Sequence, residues 1–166
     1  MNRDLKWRYH MGLFSQWILT DKIKIRTSPE KIWDFFINLE KNYIDWHPDD
    51  HKKFKWIGKP MESGSKWYAE ELMHGHLFRL KGTIGEVIPN RKIVFKYSFP
   101  LSLVSPKFEW IITSEENCST FTANGYLNAG DFFYKLSKKE MDWKVEATKR
   151  HTKEEGENLK KLMEKV

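Results

Sequence analysis

Cysteine occurs once, at Cys118, so an intrachain disulfide and a cysteine-based metal cluster are both excluded, and a reducing, cytoplasmic setting is expected. No run approaches the ~18 apolar residues of a spanning helix, and the opening MNRDLKWRYH lacks the apolar core of a signal peptide. Neither membrane insertion nor export is therefore expected. Gly-rich phosphate loops, nucleophile elbows and Cys/His pairs are missing too, which leaves nucleotide hydrolysis and serine or thiol acyl transfer without support. No internal repeat, low-complexity tract or linker divides the 166 residues, a length that suits one domain with one core.

Aromatic rings, by contrast, are abundant. They make up 15% of the chain, with eight Trp and eleven Phe, and rings of that size have to line a core or a cavity. The net charge of +6 raises the question of nucleic acid, but the basic residues are interleaved with 23 acids. The tightest cluster, Lys52, Lys53 and Lys55, sits at the start of an expected strand. A scattered mixture of this kind marks solvated faces, and nucleic-acid binding is not expected. Composition says nothing about oligomeric state.

The first sixteen residues have no clear period and are read as an N-terminal arm, leaving 17–166 as the domain. WILTDKIKIR, from Trp17 to Arg26, alternates in the manner of a half-buried strand, with Ile23 and Ile25 on one face. Ser28 and Pro29 then suit the N-cap and first position of a helix whose apolar face is Ile32, Phe35, Phe36 and Leu39. LEKNYIDW reads as a second short helix that Pro48 ends, leaving residues 47–51 in a loop. Six further strand-like runs follow, at 53–57, 65–73, 76–87, 91–99, 107–114 and 120–127, joined mostly by short turns that favour antiparallel pairing. From 138 to 165 the pattern is helical and about 40 Å long, enough to cross such a sheet. The predicted fold is α+β: a curved antiparallel sheet of six or seven strands around a long C-terminal helix.

Steps of four along that helix give Trp143, Ala147, His151, Glu155 and Leu159, with Leu162 a step of three later. A stripe with apolar ends and an imidazole and carboxylate in its middle should face the sheet, where charges are paired or bind a metal. In the strand 65–73, alternation puts Trp67, Ala69, Glu71 and Met73 on one face and Lys66, Tyr68, Glu70 and Leu72 on the other. Glu71 is thus the inward carboxylate, with Glu70 the alternative if the register slips by one. The loop WHPDDH adds His47 and His51. Two imidazoles and two carboxylates suit zinc. The residues alone leave open which of His47 and His51 completes the set. His74 and His76 flank Gly75 in an expected hairpin turn, and His10 is uninformative.

The SPEKIWDFF helix, the GTIGEVIPNRKIVF strand pair and the long last helix resemble the START-like helix-grip superfamily, which includes polyketide cyclases, lipid carriers and the birch pollen allergen. More finely, WHPDDH, Glu71 and the pair His151/Glu155 resemble the ligand pattern of the zinc-dependent diacetylphloroglucinol hydrolases. That resemblance implies hydrolysis of a carbon–carbon bond between an aromatic ring and an acetyl group, and in matching its loop ligand His47 is favoured, because Pro48 fixes the backbone beside it, with His51 a close second.

The expected function is accordingly metal-dependent hydrolysis of a small aromatic or polyketide-like acyl compound, with zinc as the cofactor. Tyr68, Tyr97 and Tyr126 are the candidate proton donors. A non-catalytic carrier or sensor of a hydrophobic ligand is the rival reading, and a co-chaperone-like binding module, marked by an exposed apolar patch, is the third.

Overall fold

A computed structural model describes residues 16–73, 75–128 and 138–165. Most of the expected N-terminal arm, together with His10 and His74, lies outside the described residues. Strand β1 (Gln16–Ile25) leads into α1 (Pro29–Ile37) and α2 (Leu39–Trp46). Six strands follow: β2 (His51–Ile57), β3 (Lys66–Met73), β4 (His76–Ile88), β5 (Lys92–Tyr97), β6 (Lys107–Glu115) and β7 (Cys118–Asn128). Helix α3 (Lys138–Met163) closes the sequence of elements.

The seven strands form one sheet in the order β1-β7-β6-β5-β4-β3-β2, every neighbouring pair antiparallel. Short connections allow the meander from β2 to β7, and only β1 has to be brought back from across the sheet. The fold is the expected helix-grip arrangement, with α1 and α2 bridging from β1 at one edge to β2 at the other.

Local chemistry fixes these helices. The Ser28 hydroxyl accepts from the Lys31 N–H at 3.4 Å, and Pro29 occupies the first turn where its missing N–H goes unnoticed. At the junction of α1 and α2 the Asn38 side chain donates to the Asp34 carbonyl at 2.9 Å. Phe36 is fully buried, stacked on Trp110 of β6 at 4.3 Å and against Phe121 of β7 at 5.5 Å. Removing a ring of that size from water stabilises the fold by about 1.5–3 kcal/mol. Trp46 of α2 meets the same Trp110 edge-on at 5.3 Å, so one aromatic cluster joins both short helices to the middle of the sheet.

Helix α3 presses on β1 through Gly156. A Cβ there would stand 3.1 Å from Asp21 Oδ2 and 3.4 Å from Ile23 Cγ2, so the absence of a side chain sets the close approach. Val145, Ala147, His151 and Leu159 are buried along this helix, while Trp143 is 39% exposed at its beginning. The stripe read from the sequence faces the sheet from Ala147 onward.

One departure from the expected elements matters for function. Strand β2 begins at His51, whereas the sequence pattern predicts a strand only from 53. His51 pairs with Glu71 and Lys53 with Glu70, so Lys52 is an extra residue in the ladder. Without that bulge, Phe54 and Trp56 facing the core would send His51 outward. With it, His51 and Phe54 both face inward and are buried.

Candidate metal centre and cavity

Between the concave side of the sheet and α3 lies a cavity of about 290 Å³. Phe54, Trp67, Phe78, Tyr97, Phe108 and Trp110 supply much of its apolar wall. Trp67 can lie flat on the sheet because β4 carries glycine beneath it: a Cβ on Gly82 would fall 1.8 Å from the Lys96 carbonyl oxygen and 2.8 Å from the indole nitrogen. The polar part of the wall includes Tyr43, Glu71, His151 and Glu155.

Each imidazole of this polar group is oriented through its outer nitrogen. His51 Nδ1 lies 2.8 Å from the Tyr43 carbonyl oxygen, and a carbonyl can only accept, so Nδ1 carries the proton. The Nε2 lone pair then points inward, 3.2 Å from Glu155 Oε1, fully buried and without a hydrogen-bond partner. A lone pair opposite a carboxylate oxygen calls for a cation or a proton between them. His151 repeats the pattern, its Nδ1 3.1 Å from Asp50 Oδ2 and its Nε2 3.6 Å from Glu155 Oε1 and 3.8 Å from Glu71 Oε2. Holding a histidine by its second nitrogen on a carbonyl or carboxylate is the usual support of a metal ligand.

Donor atoms of His51, Glu71 and His151 lie within 4.8 Å of one another, and Glu155 sits against both imidazoles. Four ligands around a zinc at ~2.0–2.2 Å stand only about 3.3 Å apart, so small side-chain adjustments would bring this set together. The chemistry of the donors and the orphaned His51 Nε2 therefore fit a metal ion.

The local field supports the same reading. Burial disfavours the His151 imidazolium, but Glu155, Glu71 and Asp50 outweigh that and push its pKa up to about 9. Burial raises Glu155, yet His151 and His51 lower it further, and the net direction is down. Metal-free, the site balances its buried carboxylates with a protonated histidine.

Of the two loop histidines, His51 lies in this group, while His47, the one favoured from the sequence, forms a second group with Asp50 and His151 whose donor atoms also lie within 4.8 Å of one another. His47 is buried one layer out: the Asp50 N–H donates to its Nδ1 at 3.3 Å, and its Nε2 lies 3.2 Å from Glu154 Oε2. Glu71 faces the cavity as alternation predicts, while Glu70 lies on the other face of β3, accepting from the Tyr68 hydroxyl at 2.5 Å.

Tyr68 thus lies with Glu70, away from the cavity wall. The Tyr126 hydroxyl donates to Glu109 at 2.6 Å, Lys107 sits over its ring at 4.1 Å, and it does not line the cavity either. Tyr97 alone of the three lines the cavity, where burial, with Glu71 and Glu155, raises its phenol well above the usual range. It stays protonated at any physiological pH.

Tyr43, which the sequence reading did not single out, stands beside these donors. Its hydroxyl donates to Glu71 Oε1 at 2.5 Å, and its ring stacks on His51 with centroids 3.8 Å apart. In the sequence, Trp46 and His47 stand three and four residues beyond Tyr43, Trp46 as the last residue of α2 and His47 as its C-cap. Trp46 is the second such case: its indole N–H donates to the Glu155 carbonyl at 2.8 Å, tying α2 to α3 beside the site.

No family model matches the chain, and no curated protein matches it. Solved structures do share its fold. The di-domain ARO/CYC protein BexL is similar over 91% of this chain at 13% identity with a TM-score of 0.71, this chain spanning about half (51%) of that longer one. A norcoclaurine synthase from Thalictrum flavum covers 95% at 13% identity and TM-score 0.68, with 99% of that enzyme matched. The Zhui aromatase/cyclase of a Streptomyces covers 90% at 14% identity and TM-score 0.69, with 94% of that protein matched. These likenesses place the chain in the helix-grip fold.

Proposed function

We propose that the protein is a metal-dependent hydrolase of a small aromatic or polyketide-like acyl compound, with zinc the preferred ion. The observation that carries this reading is the buried Nε2 of His51, unpartnered and opposite Glu155 on a cavity wall that also holds His151 and Glu71. His51, Glu71, His151 and Glu155 would hold the ion. When bound, it would supply Lewis-acid polarisation of an acyl carbonyl oxygen.

The remaining work falls to the chain. Trp67, Phe108 and their neighbours present flat apolar faces that take an aromatic ring and exclude water from it. Tyr43 holds Glu71 in place through its hydroxyl, and Asp50 holds the His151 ring. Tyr97 Oη keeps a proton inside the cavity, available to the leaving ring carbon or phenolate. In the carbon–carbon case the ring–acyl bond breaks, the oxygen of water joins the acyl carbon, and a proton goes to the ring carbon, so an acid and an arene leave.

A carrier or sensor is the second reading, favoured by the predominance of apolar side chains in the wall. Metal analysis of protein purified without chelator separates the two. About one zinc or similar ion per chain, and turnover of acylated phenols that chelation abolishes, are expected for the hydrolase. A preparation that is metal-free and cannot be reloaded leaves the carrier.

A further inference from the structure

The connection between β5 and β6 does two things at once. Its Leu101, Val104 and Ser105 line the cavity, while Phe99 and Leu103 beside them point away and are 73% and 65% exposed, the two most exposed large apolar side chains among the described residues. This exposure is built in. The Asn128 side chain donates to the Leu103 carbonyl at 3.3 Å, the Asn128 N–H to the Val104 carbonyl at 2.7 Å, and the Ser105 hydroxyl to the Tyr126 carbonyl at 3.0 Å. A connection tied to β7 in this way displays its apolar side chains when it could otherwise have folded them in.

The surroundings are cationic. From Lys96 to Phe108 the sequence KYSFPLSLVSPKF contains two lysines and no acid. Lys96 pairs in register with Lys107, and the Lys81 carbonyl accepts from Ser98 at 2.9 Å, so three lysines border the connection. Lys81 and Lys96 are exposed, and among the described residues neither has a carboxylate within ion-pair distance. Arg79 stands two residues before Lys81 on the same face of β4, its Nε 4.0 Å from Glu70 Oε1, and Leu77, at the same end of the sheet, is 45% exposed. Two apolar tips within a basic border match an anionic lipid surface, which rewards apolar insertion and attraction of Lys and Arg together.

We propose that this end of the molecule docks on anionic membrane surfaces, Phe99 and Leu103 entering the interface and Lys81, Lys96 and Lys107 meeting the headgroups. The contact lies in the interface plane without spanning. Its consequence is that the cavity, walled by the same connection, opens beside the lipid, and an apolar ligand passes between bilayer and cavity without crossing bulk water. The inference does not depend on a metal in the cavity.

Sedimentation with vesicles tests it, comparing phosphatidylcholine alone with mixtures holding about one-third phosphatidylglycerol. The intact protein is expected to bind the anionic vesicles about tenfold more strongly than the neutral ones, and less as salt rises. Phe99→Ser with Leu103→Ser, and separately Lys81→Glu with Lys96→Glu, should each weaken that binding about tenfold while circular dichroism and the melting temperature stay unchanged. Lys31→Glu with Lys41→Glu, on the two short helices, should matter little. Failure to bind anionic vesicles, equal loss in the helix variant, or full binding by both loop variants overturns the proposal. So does a result in which the loop variants abolish self-association or capture of a protein partner and leave vesicle binding untouched.

Discussion

Tyr43 grips His51 from two sides: its backbone carbonyl takes the Nδ1 proton at 2.8 Å and its ring stacks on the imidazole at an interplanar angle of 3°. The same residue's hydroxyl reaches Glu71, so one helical side chain orients donors from two neighbouring strands. Tyr43→Phe keeps the carbonyl and the stacking and deletes only the bond to Glu71. Zinc affinity, read by chelator competition, should fall about tenfold with the fold intact, the usual effect of losing an outer support of a ligand. Unchanged affinity would show that Glu71 needs no such anchor.

The two loop histidines should separate cleanly. His51→Ala removes a lone pair aimed into the site and should abolish stoichiometric metal binding. His47→Ala removes contacts with Asp50 and Glu154 outside that group and should leave about one ion per chain at affinity lowered about tenfold. Metal content by mass spectrometry of both variants decides, and the opposite ranking would return the ligand role to His47.

The pH dependence of the metal-free protein follows from His151. Its folded pKa of about 9 is above the ordinary histidine value, so the stability it contributes is complete below about pH 6.5 and is lost as pH rises toward 9. Glu155 acts in the other direction: its depressed pKa contributes stability above the ordinary carboxylate range that disappears on acidification. Melting temperatures should therefore be highest at about pH 5–6 and decline from about pH 6.5 toward pH 9. His151→Gln should flatten the alkaline decline. Loading with zinc should release a proton and flatten it as well.

Tyr97→Phe tests the proton donor. The variant keeps the ring in the cavity wall and should bind an acylated phenol about as well as the parent, while turnover falls by about 10²–10⁴-fold. Equal losses in Tyr68→Phe or Tyr126→Phe would argue against the assignment, since those hydroxyls are engaged with Glu70 and Glu109.

Gly82→Ala addresses the wall itself. The new methyl would collide with the Lys96 carbonyl across the β4–β5 ladder, and backbone cannot swing aside as a flexible side chain can. A destabilisation of about 1–3 kcal/mol, measured by urea unfolding, is expected. A neutral result would mean that the two strands separate there at little cost.

Much of this was legible in the residues because helices and regular strands have fixed periods. His151, Glu155 and Leu159 are linked by steps of four, and alternation from Trp67 places Glu71 inward without reference to any partner. His51 was not legible in the same way. Its direction depends on Lys52 being an extra residue in the ladder, and a bulge leaves no mark in a pattern of hydrophobic and polar residues. The same β3 alternation that places Glu71 inward also places Tyr68 outward, so its position away from the cavity was available from the sequence. Tyr126 was not, because its engagement with Glu109 depends on a strand pairing seventeen residues apart.

The donors of the proposed centre come from two neighbouring strands and one distant helix: His51 from β2, Glu71 from β3, and His151 with Glu155 from α3. Four further strands separate β3 from α3 along the chain, so the set is complete only once the last helix has docked on the sheet. Uptake of an ion would then report completion of the fold, and Trp46, bonded to the Glu155 carbonyl, would register that docking in the tryptophan fluorescence.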